Sequence, residues 1–262
     1  MPYGGPVGRS RADRPLHAAT RNPRGYVSYP TQTAILALML ATRRNGVTTF
    51  GRVVLVASLG GVDAFSTVLA GLPATFPVPI AIAQHRKPST NGDDALTQIL
   101  ARHTSLPVRT ARHGASAHES GATIVSAGVS AAIDANGSWA LTSATDATAV
   151  GDPLLLSSAE EVPTIAVILT GRLADGANGC RAVKRNGGRV LIQDPADAKA
   201  PSMPSHAIAT GCADFVLPLN RLATAVLALT TAPGAADLLN VPLPPWASLV
   251  AQGPDGGAAA LN

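Results

Sequence analysis

At 262 residues, 46% hydrophobic but only 3% aromatic, the chain is long enough for one substantial core of small aliphatic side chains, which excludes a disordered or fibrous protein. Its formal net charge of +4 does not belong to the fold: before Gly51, Arg9, Arg11, Arg14, Arg21, Arg24, Arg43 and Arg44 face Asp13 alone, whereas from Gly51 onward thirteen bases face fifteen acids. That part has no aromatic interleaving, helix-turn-helix or finger pattern, so no nucleic-acid partner is expected. Cys180 and Cys212 form neither C-x-x-C nor a disulfide framework, and a reduced, cytoplasmic setting is the simplest account.

Residues 1–50 read as a basic, largely disordered extension rich in Pro, Gly and Arg. Within it the apolar run of residues 34–41 is too short to span a bilayer, so no direct membrane insertion is expected. The run Val53-Val54-Leu55-Val56-Ala57 then stops at Ser58-Leu59-Gly60-Gly61. Continuous β-branched apolar residues bounded by glycine indicate a strand buried on both faces of a parallel sheet. Val62, Phe65, Val68, Leu69 and Leu72 follow at helical spacing. A second strand, Val78-Pro79-Ile80-Ala81-Ile82-Ala83, ends in Gln84-His85 and a polar loop through Asp94. A helix over about residues 94–102 precedes short strands from Val108 to about Leu141, with a hairpin signal at Ala135-Asn136-Gly137. A helix near residues 153–160 leads to the strand Thr164-Ile165-Ala166-Val167-Ile168-Leu169 and then to Thr170-Gly171-Arg172-Leu173-Ala174-Asp175-Gly176. The next helix closes at Asn186-Gly187-Gly188, and strand 189–193, helix 203–209, strand 215–217 and helix 222–229 follow. The alternation predicts an α/β fold, a doubly wound, mostly parallel sheet flanked by helices with a small antiparallel hairpin region. One folded domain is expected over residues 51–232, with a loose Pro/Gly/Ala-rich tail over 233–262.

Ser58, His85 and Asp175 each stand just past a predicted strand, at the edge where such sheets bind ligands. Taken singly they are a turn serine, a structural histidine and a helix-capping aspartate. Together they supply a hydroxyl, an imidazole to take its proton and a carboxylate to orient the imidazole, the requirements of nucleophilic catalysis. The spacings of His103, His113 and His118 fit no common metal-ligand pattern, so no metal is expected and these read as solvated loop histidines. His206 reads as a cap or packing residue, and Asp194 as a turn cap.

Ser58-Leu59-Gly60-Gly61, Gln84-His85, Leu169-Thr170-Gly171 with Asp175-Gly176, and Met203-Pro204 before Ala207-Ile208 together resemble the catalytic domain of the chemotaxis receptor methylesterases, the CheB family. The resemblance runs from about Val53 to Leu229 and preserves the order Ser, His, Asp, unlike the Ser, Asp/Glu, His of ordinary α/β-hydrolases. It implies Ser58 as nucleophile, His85 as general base and acid, and Asp175 as the orienting carboxylate. Leu59, Gly60, Gly61, Arg172 and Met203 are the implied oxyanion and cleft residues, with backbone amides as donors. The implied reaction hydrolyses glutamyl methyl esters, and deamidates particular glutamines, on a methylated receptor or other protein substrate. It needs no cofactor, since serine and imidazole supply nucleophile and proton transfer. The extension is too short for the receiver domain that often precedes this unit, so a stand-alone form is expected, with Met39 as a possible later start. The chain departs from the family pattern at residues 172–174, at 113–115, at 120–121, at 124–127, near 129–132, where a histidine is missing, and at 148–150, although Asp152-Pro153-Leu154 remains. These departures leave open a serine esterase or deamidase on a non-receptor substrate, or a silent homologue.

Overall fold

The structure, a computed structural model, describes residues 50–87, 95–144, 149–242 and 244–245. The extension before Phe50, most of the loop after His85 and the end of the tail lie outside the described residues. The chain runs β1 (Arg52–Ala57), α1 (Gly61–Ala70), β2 (Ile80–Gln84), α2 (Ala95–Ala101), β3 (Val108–Thr110), β4 (Ala122–Ile124), β5 (Val129–Ile133), β6 (Trp139–Ser143) and α3 (Gly151–Glu161). It continues through β7 (Thr164–Ile168), α4 (Ala177–Arg185), β8 (Arg189–Gln193), α5 (Ser202–Ala209), β9 (Phe215–Leu217), α6 (Leu219–Thr231) and α7 (Ala235–Leu238).

Seven strands form one sheet in the order β3-β4-β2-β1-β7-β8-β9, every pairing parallel. The central strands read as unbroken apolar runs because both faces are covered. Val53, Leu55 and Ala57 of β1 pack with Phe65, Val68 and Leu69 of α1 and Leu222, Val226 and Leu229 of α6. Val54 and Val56 point the other way, toward Leu154 and Leu155 of α3, Val183 of α4 and Met203 of α5. The crossover from β1 goes to β2 on one side and that from β7 to β8 on the other, so the gap beyond the carboxyl ends of β1 and β7 is the topological switch point. The predicted hairpin forms: β5 and β6 pair antiparallel from Val129↔Ser143 to Ile133↔Trp139, closed by Asp134 Oδ1 accepting the amides of Asn136 and Ser138.

Two features differ from the expectation. The tail is not loose from Pro233, because α7 forms and Ala235 and Ala236 are buried. Arg189, at the start of β8, donates to the Ala236 carbonyl and lies over the Phe50 ring at 5.8 Å. Two of the three histidines are also not simply solvated: His113 Nδ1 accepts the Leu141 amide at 3.1 Å, and His118 Nε2 meets Glu161 Oε1 at 3.0 Å, while His103 is exposed. Glu161 also pairs at 2.6 Å with the fully buried Arg52.

Candidate active site

β1 turns into α1 within three residues, and that turn presents Ser58. The Ser58 amide donates to the Thr170 carbonyl across the switch point at 3.0 Å. Gly60 supplies the reversal at φ +84° as the N-cap of α1, a left-handed conformation that glycine adopts without a Cβ penalty. On the β7 side, Gly171 lies so close that a Cβ there would stand 3.0 Å from Ser58 Cβ and 2.1 Å from Met203 Sδ. A side chain at this position would fill the space beside the serine.

The carbonyls around this turn are pinned. Ser58 O accepts the Gln84 side-chain amide at 3.0 Å and the Gly61 amide at 3.0 Å. Leu59 O accepts the Thr170 hydroxyl at 3.0 Å, and Gly171 O accepts the Met203 amide at 2.9 Å. A trans peptide is planar, so its N–H points opposite to its C=O. Fixing Ser58 O therefore aims the Leu59 N–H, and fixing Gly171 O aims the Arg172 N–H. Neither amide finds an acceptor among the described residues. Two aimed, unsatisfied amides beside a serine are what a developing oxyanion requires. Gly61, in contrast, spends its amide on closing the turn.

An open cleft of about 310 Å³ at the switch point is lined by Ser58, His85, Asp152, Arg172, Asp175 and Met203, among others. The three residues predicted to act together thus share one cavity, although they come from three strand ends. Their hydrogen bonds differ from the expectation. Ser58 Oγ has no hydrogen-bond partner among the described residues. The Asp175 carboxylate, expected to hold the imidazole, is engaged by the N-terminus of α3. Its Oδ2 accepts the amides of Val150 (3.0 Å) and Gly151 (2.9 Å), and its Oδ1 accepts those of Gly151 (3.1 Å) and Asp152 (3.0 Å). The first amides of a helix have no intrahelical acceptor, and a carboxylate is their best partner.

Asp152 returns the arrangement. From the first turn of α3 its Oδ1 accepts the Gly179 amide at 2.8 Å, in the first turn of α4, and Asn178 reaches its Oδ2 at 3.4 Å. Each aspartate sits at one helix N-terminus and caps the other. Burial, and after it the Asp175 charge, raises the Asp152 carboxyl above its ordinary value, with the Gly179 amide opposing. The helices can exchange caps because α4 carries Gly179 at the contact: a Cβ there would stand 2.4 Å from Leu155 Cβ.

Asp194 caps its own turn through the Ala196 amide, as expected, and His206 bonds within its helix to Ser202. Sequence reasoning passed over Asp152, Thr170 and Gln193 as parts of the site. Thr170 and Gln193 stand at strand ends, and Gln193 Oε1 holds the Thr170 amide at 2.9 Å. The position of such polar residues after apolar runs was the available signal.

The model of the family described as CheB methylesterase matches residues 53–226 of this chain. The chain belongs to the CheB methylesterase family. A protein-glutamate methylesterase/protein-glutamine glutaminase of Moorella thermoacetica is 34% identical over 210 residues, 77% of this chain and 48% of the relative. The protein-glutamate methylesterase FrzG of Myxococcus xanthus is 34% identical over 180 residues, 67% of this chain and 53% of the relative. The chain thus spans about half the length of these two CheB-family relatives. The crystal structure of the Thermotoga maritima CheB methylesterase catalytic domain superimposes with a TM-score of 0.62 at 29% identity, over 69% of this chain and 98% of that one. Among the described residues of this family member, no helix is long and apolar enough to cross a membrane.

Proposed function

We propose that this protein hydrolyses glutamyl methyl esters on a protein substrate, with methylated chemotaxis-type receptors as the substrate class and glutamine deamidation as a second activity of the same site. The observation that carries this reading is the meeting of Ser58, His85 and Asp175 on one cleft beside two aimed, unpaired amides. The family membership and the names of the two relatives support it.

His85 takes the Ser58 Oγ proton as Oγ attacks the ester carbonyl carbon. The oxygen that gains the negative charge is held by the Leu59 and Arg172 amides. As the tetrahedral intermediate collapses, the C–O bond to the methoxy group breaks and His85 returns the proton, releasing methanol. Water, losing a proton to the same imidazole, then attacks the acyl-enzyme, which yields the glutamate carboxylate and regenerates Ser58. With a glutamine substrate the leaving group is ammonia. Asp175 supplies negative charge at the cavity surface to favour the imidazolium, from a position held by four amide contacts before substrate arrives. Apo catalytic contacts are commonly long and tighten with substrate bound, and the unbonded Ser58 hydroxyl fits that pattern.

Labelling with a serine-reactive phosphonate tests the reading. Modification mapped to the peptide containing Ser58 is the expected result. An unreactive protein, or modification elsewhere, would overturn it.

A further inference from the structure

Around Ser58 the surface differs from the rest of the molecule. Among the described residues the exposed large apolar side chains are Leu59 at 44%, Leu173 at 70% and Val241 at 44%, and two of these flank the serine. Leu59 follows Ser58 directly, and Leu173 lies two residues beyond Gly171, which faces Ser58 Cβ. Leu173 is also the sole non-glycine residue among those described with a positive φ, +68°. A leucine disfavours that conformation, and little packing offsets the cost here. The turn is nonetheless held, with Ser202 Oγ donating to Leu173 O at 3.3 Å.

Charge adds a second, independent observation. Arg172 lines the cleft, and the Lys199 stem lies over Gly60, where a Cβ would stand 3.0 Å from Lys199 Cβ and 3.1 Å from its Cδ. Neither cation has a hydrogen bond or ion pair among the described residues. The carboxylates of the cleft are already engaged, Asp175 by the amides of α3 and Asp152 by Gly179 and Asn178. Arg172 and Lys199 therefore stand beside the serine as cations without a carboxylate partner among the described residues, on a fold whose charged residues from Gly51 onward carry an acidic surplus.

We propose that this rim reads the substrate around the reacting ester. Arg172 and Lys199 take free carboxylates one helical turn from the glutamyl methyl ester, and Leu59 and Leu173 take its apolar neighbours. The occupant is an acidic amphipathic helix of the substrate protein, in which side chains three and four residues apart stand about 5–6 Å from one another. The inference rests on the proposed esterase activity and adds which glutamyl esters the site selects.

Two helical peptides test it, alike in a central glutamyl methyl ester, one with glutamates a turn to either side and the other with glutamines there. At low salt the wild type is expected to show a kcat/KM about three- to tenfold higher on the acidic peptide, the range for exposed ion pairs, and the ratio should approach one in about 1 M salt. Arg172→Met and Lys199→Met each lower the ratio, and the double variant abolishes it. Because both peptides carry the same ester, any disturbance of the Arg172 amide cancels in the ratio. Leu173→Gly raises KM for both peptides without lowering the thermal midpoint. A wild type that cleaves both peptides equally, or a double variant that keeps the full preference, overturns the proposal while leaving the esterase reading intact. A wild type that cleaves neither peptide overturns both.

Discussion

Thr170→Val removes the hydroxyl that holds the peptide following Leu59, so the Leu59 amide, whose own peptide is held through Ser58 O, loses its anchor on the far side. Thr170 is 2% exposed, and its Oγ1 donates to Leu59 O at 3.0 Å and accepts the amide of the buried Ala200 at 2.8 Å. Valine fills nearly the same volume but strands the Ala200 N–H, at a cost of about 2 kcal/mol for an unsatisfied buried donor. For a domain of this size that lowers the thermal midpoint by about 6 °C. Leu59 is 44% exposed, so water replaces the lost bond and the consequence falls on the geometry of the turn instead. A misaimed oxyanion donor should cost roughly 10- to 100-fold in turnover, below the ~10²–10³ for deleting a donor outright. The assay is steady-state hydrolysis of a small ester at a temperature well below the variant's midpoint, with Thr170→Ser as the control that restores the hydroxyl. A large fall in kcat with KM nearly unchanged, rescued by serine, is the expected outcome. A folded valine variant with kcat within about twofold of wild type would refute the aiming argument, since the expected loss is far larger.

Gly179→Ala should destabilise by about 1–3 kcal/mol in denaturant unfolding despite the better helix propensity of alanine, because the new methyl meets Leu155 at 2.4 Å. Asp175→Asn should lose turnover by orders of magnitude and also about 3 kcal/mol of stability, since an amide nitrogen would face the N–H groups of α3. Asp194→Asn, which keeps an acceptor for the Ala196 amide, should change stability by less than about 0.5 kcal/mol. The raised Asp152 carboxyl binds its proton more tightly folded than unfolded, so its contribution is full below the ordinary value of 3.8 and is lost as pH rises through the folded value. Asp152→Asn should flatten that segment of the stability–pH curve, and a variant curve parallel to wild type as pH rises above 3.8 would contradict the assignment.

Those sites differ in how far the sequence announces them. β1, β2 and β7 are legible because burial on both faces leaves unbroken apolar runs, and the punctuation after them locates Ser58, His85 and Asp175. The sharing of one cleft follows from a parallel sheet placing all carboxyl ends on one edge. The partners of Asp175 are not legible, because they depend on where α3 points, and its amides lie 23 to 25 positions back in the chain. Arg52 and Arg189 read as surface charges in any composition argument, yet Arg52 is fully buried against a glutamate 109 positions away and Arg189 is held by carbonyls, one of them in α7. That last contact also explains the tail: Ala235-Ala236-Asp237-Leu238 is too short to show a helical stripe, and tertiary contact, not periodicity, fixes it.

The proposed function stands or falls on Ser58 opening a glutamyl methyl ester in this cleft. Methanol released from a methylated receptor protein, followed in parallel for wild type and Ser58→Ala, reports that step. Steady release by the wild type is expected, with a fall of several orders of magnitude in the alanine variant, whose stability stays within about 1 kcal/mol of wild type. A folded Ser58→Ala protein that retains more than about a tenth of the wild-type rate would contradict it.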